Sequence, residues 1–273
     1  MRLALACNRS HLYQAGENRP DDEYEEFDSP EIVEAIAQAI RSFGHEVVPL
    51  EADKTFPETL ARGGFDFVFN ISEGLAGRCR ESQVPAVCEM LGIPFTGSDA
   101  ITMGVTLDKN LAKKAVSASV PVARGRVFYP GSPIDFSGLT FPVFIKPNAE
   151  GSSKGIRNAS KVNDPVEAKK LVASLISEYQ GSVLVEEFLD GTECTVGVLG
   201  NTHPRVIGIM EIAPKKVALK DFVYSLETKR DYENQVEYHI PARLPPQTLA
   251  LIEKTVLDAF RELDCRDFGR IDV

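Results

Sequence analysis

No two of the five cysteines form a C-x-x-C pair: Cys7, Cys79, Cys88, Cys194 and Cys265 are odd in number and widely spaced. That excludes a disulfide framework and a cysteine-ligated zinc site, and buried free thiols in a reducing compartment are the expectation. A basic surplus is missing as well. Thirty lysines and arginines face forty aspartates and glutamates, for a net charge of −10 and a pI near 5.0. A general nucleic-acid binder is therefore excluded, although a local lysine cluster around one small anion is not. No apolar run approaches the roughly 18 residues of a membrane span. The start, Met1-Arg2-Leu3-Ala4-Leu5-Ala6-Cys7, is too short for a signal peptide and reads as a first strand. Neither G-x-G-x-x-G nor G-K-[ST] occurs, so the dinucleotide fingerprint and the Walker loop are both lacking. The expected setting is cytoplasmic, with no nucleic-acid and no membrane partner.

What is present is a chain of 273 residues, 43% hydrophobic, enough for two or three packed subdomains. Its first hundred residues alternate strands and helices. Strands are expected at Arg2–Cys7, Glu46–Leu50 and Phe65–Asn70, with a short strand and turn at Ile93-Pro94-Phe95-Thr96-Gly97. Between them, Ile32, Ile36, Ile40 and Phe43 recur at helical spacing after Ser29 as N-cap and Pro30 at the first helical position. Val84–Leu91 is a second helix, closed by Gly92. This order implies a parallel sheet with covering helices. The acidic run Asp21-Asp22-Glu23-Tyr24-Glu25-Glu26 reads as a solvated loop. Further on, helices are expected over Asp108–Ser119, after Asp164-Pro165 and after Pro245-Pro246, with strands at Phe141–Lys146, Val183–Leu189, Thr195–Leu199 and Val206–Ile212.

Four polar groups carry chemistry. Asn148-Ala149-Glu150-Gly151-Ser152-Ser153-Lys154-Gly155 follows Lys146. Its backbone N–H groups and hydroxyls can approach phosphate oxygens; a solvent-exposed hairpin turn is the alternative. Glu186-Glu187-Phe188-Leu189, with Glu193 beyond it, can border an adenine and a ribose, or be a solvated strand end. Glu227-Thr228-Lys229-Arg230 places two cations in a loop, suited to phosphate or carboxylate, or merely solvated. Arg270 and Asp272 are two apart on a strand, hence on one face. They suit a metal–phosphate centre, or form a surface ion pair.

In order, Asp108-Lys109, Lys146-Pro147 with Glu150-Gly151-Ser152-Ser153-x-Gly155, Glu186-Glu187-Phe188-Leu189 with Glu193, Glu227-x-Lys229 and Gly269-Arg270-Ile271-Asp272 resemble the ATP-grasp superfamily, and within it the D-alanine–D-alanine ligase-like branch. The resemblance covers nearly the whole chain. It implies a mixed α/β and α+β fold. Its parts would be a Rossmann-like pre-ATP-grasp domain at 1–98, a central subdomain with the glycine loop at 99–183, and an incomplete C-terminal subdomain at 184–273. It further implies ATP and Mg²⁺ as cofactors and amide formation through an acylphosphate. By similarity, Lys109 and Lys146 contact the phosphates, with Glu150, Ser152 and Ser153 in the loop that closes over them. Glu186, Glu187 and Leu189 border the adenine with Phe188 packing nearby, and Glu193 holds the ribose. Lys229 neutralises the γ-phosphate, Asp272 is a metal ligand, and Arg270 steadies the tetrahedral oxyanion.

The departures from the family pattern lie on the substrate side. The His-Glu-Val-Ser-like segment has no clean match around Asn8-Arg9-Ser10-His11, Arg230 replaces a tyrosine, and Arg80 stands where an acid is usual. The small-molecule carboxylate and amine substrates are therefore expected to differ, with Arg80 and Arg230 suited to an extra carboxylate. The family's Glu-x-Asn metal ligands do not follow Asp272. The alternatives are a portion of a longer enzyme, or a truncated, non-catalytic ATP-binding pseudoenzyme or regulatory module. Oligomeric state stays open, a homodimer being one option.

Overall fold

Alanines at every second position let the first strand, β1 (Arg2–Cys7), lie between two layers of helices: Ala4, Leu5, Ala6 and Cys7 are all fully buried. Burial on both faces marks a central parallel strand. In the computed structural model, which describes residues 1–14, 16 and 19–273, the chain forms two compact units, Met1–Leu107 and Asp108–Val273. The first continues through α1 (Pro30–Arg41), β2 (Glu46–Glu51), α2 (Phe56–Arg62), β3 (Phe67–Asn70), α3 (Gln83–Leu91) and α4 (Ala100–Leu107). The sheet order is β2-β1-β3, with both neighbours parallel to β1. Leu5 and Cys7 pack against Val33, Ala37 and Val47. Ala4 and Ala6 pack on the other face with Leu50, Phe56, Leu60 and Val68.

Several local expectations are corrected. Ser29 caps α1 by accepting from the Ile32 amide, as read, but the buried stripe is Val33, Ile36, Ala37 and Ile40; Ile32 and Phe43 are exposed. The real stripe follows i, i+3, i+4, i+7, which the larger residues on its flank disguised. Ile93–Gly97 forms no strand, only a bridge from Phe95 to Val68. The acidic run is not solvated throughout: Asp22 and Glu26 are buried. Tyr24 and Phe27 stack with Tyr13 at 5.0–5.4 Å and carry the segment inward. Among the cysteines, Cys7, Cys88 and Cys194 are buried while Cys79 is exposed. Burial pushes the Cys7 and Cys88 thiols up to about 12, so neither is a nucleophile.

The second unit runs α5 (Lys109–Val116), β4 (Gly125–Phe128), β5 (Val143–Pro147), β6 (Lys161–Val162), α6 (Pro165–Tyr179), β7 (Val183–Glu187), β8 (Glu193–Leu199), β9 (Arg205–Pro214), α7 (Leu226–Arg230), α8 (Tyr232–Gln235), β10 (Val236–His239), α9 (Pro246–Glu262) and β11 (Phe268–Asp272). It holds two antiparallel sheets, ordered β4-β7-β5-β6 and β10-β9-β8-β11. Each packs one face on a helix. Val143, Ile145, Val183 and Val185 meet Ala168, Val172 and Leu175 of α6. Val196 and Val198 meet Val256 and Phe260 of α9. Period-2 alternation then sends Lys146 and Glu186 to the free face of the first sheet, and Glu193, Arg270 and Asp272 to that of the second. The Glu227–Arg230 segment is not a loop: Ser225 caps α7 by accepting from the Thr228 amide. No helix among the described residues is long and apolar enough to cross a membrane.

Candidate active site

The site is built on the two free sheet faces of the second unit. On the first, Lys146 of β5 and Glu186 of β7 stand on the side away from α6, because their strand neighbours Ile145 and Val185 fill the core. Lys146 Nζ lies 2.5 Å from Glu186 Oε1. Lys113 of α5, which the sequence reading left without a role, reaches the other oxygen, Oε2, at 2.5 Å. Burial alone would push the Glu186 carboxyl up, but Lys146 and Lys113 together hold it below its ordinary value. Both oxygens of the Glu186 side chain are thus engaged by lysines.

Asp108 ties this face to α5. Its carboxylate caps the helix by accepting from the Leu111 amide at 3.1 Å and also takes the Asn148 side-chain amide at 2.8 Å. Asn148 in turn accepts from the Lys109 and Asn110 amides. Lys109 Nζ donates to the Glu150 carbonyl. The Asp108-Lys109 pair therefore positions the start of the glycine loop through its backbone.

That loop is more than an exposed hairpin turn. Lys154 and Gly155 are buried, and Lys154 Nζ pairs with Glu150 Oε2 at 2.6 Å. Ser152 and Ser153 adopt left-handed backbone, φ 45° and 63°, a region costly for residues with a Cβ. Gly155, at φ 69°, has no alternative residue: a Cβ there would sit 2.4 Å from the Pro147 ring. Ser153 Oγ donates to the Tyr224 carbonyl at 3.3 Å, and the Leu226 amide donates to Ile156. The loop is thereby attached to the segment that leads into α7. Ser152 stays exposed.

The Glu186–Leu189 run splits. The Glu187 carboxylate accepts from the Thr140 amide at 3.0 Å, and Phe188 lies under Lys161 Nζ at 4.3 Å from the ring centroid. Leu189 is 70% exposed, an apolar side chain open to a ligand.

On the second sheet, Arg270 stands opposite Gly197, and Gly197 opposite Gly208. The space over Gly197 is taken by the Ile207 side chain of β9, whose Cγ1 would lie 2.9 Å from a Cβ at that position. Arg270 Nε lies 3.3 Å from Asp272 Oδ1, and Thr195 Oγ1 donates to the same oxygen at 2.8 Å. Glu193 shares this face. Burial first, then the charge of Asp272, pushes its carboxyl up to about 7, against the pull of Lys229 and Lys146. Burial also lowers the Lys229 ammonium, Arg270 adds to that, and Asp272 and Glu193 oppose it. Glu193, Lys229, Arg270 and Asp272 thus form one electrostatic neighbourhood, with Lys146 within its reach. Lys229 Nζ sits 5.1 Å from the Tyr224 ring centroid. Among the described residues no group of three or more histidine, cysteine or carboxylate side chains is arranged to hold a metal. The two carboxylates nevertheless fit a hard cation that takes its remaining oxygens from phosphate. Their mutual repulsion, seen in Glu193, is what such a cation would relieve.

Arg80 belongs to the first unit and is buried, its Nη2 3.0 Å from Glu26 Oε2. Arg230 is exposed at the end of α7. Lys113, Lys154, Thr195 and Tyr224 are the neighbours that sequence reasoning missed.

Known proteins resemble this chain in sequence and in fold. A family model described as D-ala D-ala ligase C-terminus matches residues 135–273. A Sinorhizobium fredii protein, "Uncharacterized protein y4sG", is 30% identical across 100% of this chain and 83% of its own length. A D-alanine–D-alanine ligase of Desulforudis audaxviator is 31% identical over 88% of this chain and 76% of that protein. In fold, the chain matches a D-alanine–D-alanine ligase of Bacillus anthracis, solved complexed with ATP, with a TM-score of 0.72 and 18% identity. That match covers 100% of this chain and 81% of the other.

Proposed function

The chain belongs to the D-alanine–D-alanine ligase family of ATP-grasp proteins, and on that premise we propose that it uses ATP to activate a carboxylate as an acylphosphate and joins it to an amine. The observation that carries this reading is the convergence in one unit of Lys146, Lys229, Arg270, Asp272 and Glu193 with a loop whose serines hold left-handed backbone. Phosphoryl transfer asks a protein for position and charge neutralisation more than for covalent help.

In this reading Lys146 and Lys229 hold the nucleotide phosphates, and the segment from Glu150 to Gly155 covers them, excluding the water that would hydrolyse the acylphosphate. Asp272 would hold Mg²⁺, which supplies charge neutralisation on the phosphate oxygens, and Glu193, coupled to Asp272, would join it there instead of taking the ribose contact that the resemblance implies. A carboxylate oxygen of the acid substrate attacks the γ-phosphorus, and ADP leaves. The amine then attacks the acyl carbon, the oxyanion that forms there lies against the Arg270 guanidinium, and phosphate departs with the acid's oxygen. Leu189 offers the nucleotide base an apolar contact. Of the two substrate-side arginines, Arg80 is buried against Glu26 and Arg230 is exposed, so Arg230 is the more accessible to an additional carboxylate.

The test is ADP release from MgATP with a panel of amino acids and other acid–amine pairs, beginning with D-alanine, which the relatives' names supply. At least one pair should stimulate ADP release well above the rate with ATP alone. Silence across the panel, by protein that binds ATP, would refute the ligase reading.

A further inference from the structure

Lys113 is the least expected member of the site. It comes from the second turn of α5, and its partner Glu186 lies 73 residues further along the chain. The arrangement around Glu186 is a linear one of three charges. Lys113 takes one carboxylate oxygen and Lys146 the other, both at 2.5 Å. Glu186 is buried, and the two lysine side chains are only 24% and 19% exposed. The three groups therefore sit where water screens them poorly.

Their sum decides what a phosphate meets. Lys146 with Glu186 alone is a neutral pair, and its carboxylate would repel an incoming polyanion. With Lys113 on the far oxygen the group carries a net charge of +1. An ammonium has three donors, so Lys146 can keep Glu186 and still give two to a phosphate. We propose that Lys113 is a positioning residue for nucleotide binding: it neutralises Glu186 from behind, so that Lys146 faces the phosphates as an uncompensated cation. The role is not contact with the nucleotide but the charge balance of a neighbour. Removing Lys113 leaves a buried carboxylate with a single partner, and that carboxylate then competes with the nucleotide for Lys146. This inference rests on the proposal that Lys146 binds ATP phosphates.

The experiment is a double-mutant cycle on the full chain, with ATP affinity measured by calorimetry in the absence of the acid and amine. Lys113→Gln should weaken ATP binding by at least about tenfold, the equivalent of one net charge lost near the phosphates. In the Glu186→Gln background the same change should cost less than about twofold, because the carboxylate it neutralised is gone. Lys113→Arg, which keeps the charge, should restore affinity to within about threefold. A purely structural lysine would lower thermal stability without this coupling in affinity. If Lys113→Gln fails to fold, the double variant carries the test. It retains Lys146 as a lone cation and should bind ATP within about threefold of wild type. Equal losses in both backgrounds, or no loss, would overturn the proposal. A wild-type protein that does not bind ATP would instead overturn the nucleotide reading on which it stands.

Discussion

Two arginines carry expected roles at the reaction, Arg80 toward a substrate carboxylate and Arg270 toward the oxyanion, and the fold treats them in opposite ways. Arg80 is 9% exposed in its side chain and pairs with Glu26, itself 2% exposed, at 3.0 Å. Arg270 is 67% exposed and leans on Asp272, 50% exposed, at 3.3 Å. The first pair is closed: water is gone, and the two charges face each other at close range. The second is open: water screens it, it adds little to stability, and both charges can be redirected to a ligand. Availability for chemistry is set by desolvation and by what is already bound, not by residue type.

The comparison can be broken most sharply at the open pair. Arg270→Met should lower turnover on the order of 100- to 1,000-fold, the loss typical of a removed oxyanion donor, while leaving the melting temperature unchanged, since exposed pairs contribute little. Steady-state kinetics with melting curves would check it. A large fall in melting temperature would show that Arg270 is a structural residue like Arg80.

The closed pair predicts the reverse. Glu26→Gln sets a neutral amide against a buried guanidinium in place of a carboxylate and should destabilise the first unit by about 3 kcal/mol. Removing both charges with Glu26→Gln and Arg80→Met should recover most of that loss. Urea unfolding of the three variants reads this directly.

A smaller effect sharpens the electrostatics around that pair. Glu73, in the same unit, has its carboxyl pushed from its ordinary 4.5 up to about 8, by burial first and then by Glu26 and Glu81. A raised carboxyl means the folded state binds more protons than the unfolded chain between those two values. Stability from this group is therefore full below about pH 4.5 and is lost as pH rises through about 8. The melting temperature should fall by several degrees across that window, and Glu73→Gln should flatten the slope. An unchanged slope would place Glu73 in water.

Much of this was legible before the structure, and the missing parts have a common cause. Strands such as β8 and β9 announce themselves by alternation, and α1, α6 and α9 by their caps and apolar spacing. The ordered motifs from Asp108-Lys109 to Asp272 were readable because each is contiguous. Partners far apart in sequence were not. Lys113 meets Glu186 across 73 residues, and Arg80 meets Glu26 across 54. Nothing local to Lys113 distinguishes it from Lys114, one position on. The five-residue α7 is too short for a helical period, and the four-residue β4 and β10 too short for an alternation, so only tertiary packing reveals them. The acidic run was misread because composition suggests water, while Glu26 is held inside by a counter-charge that composition does not locate.

The proposed reaction, an acid joined to an amine through an acylphosphate, moves an oxygen of the acid into phosphate. The most direct measurement uses an acid substrate labelled with ¹⁸O in its carboxylate, incubated with MgATP and the amine, and mass analysis of the phosphate released. One labelled oxygen should appear in that phosphate, carried from the carboxylate when the amine displaces it. Phosphate whose new oxygen comes only from solvent would mean simple ATP hydrolysis and would contradict it.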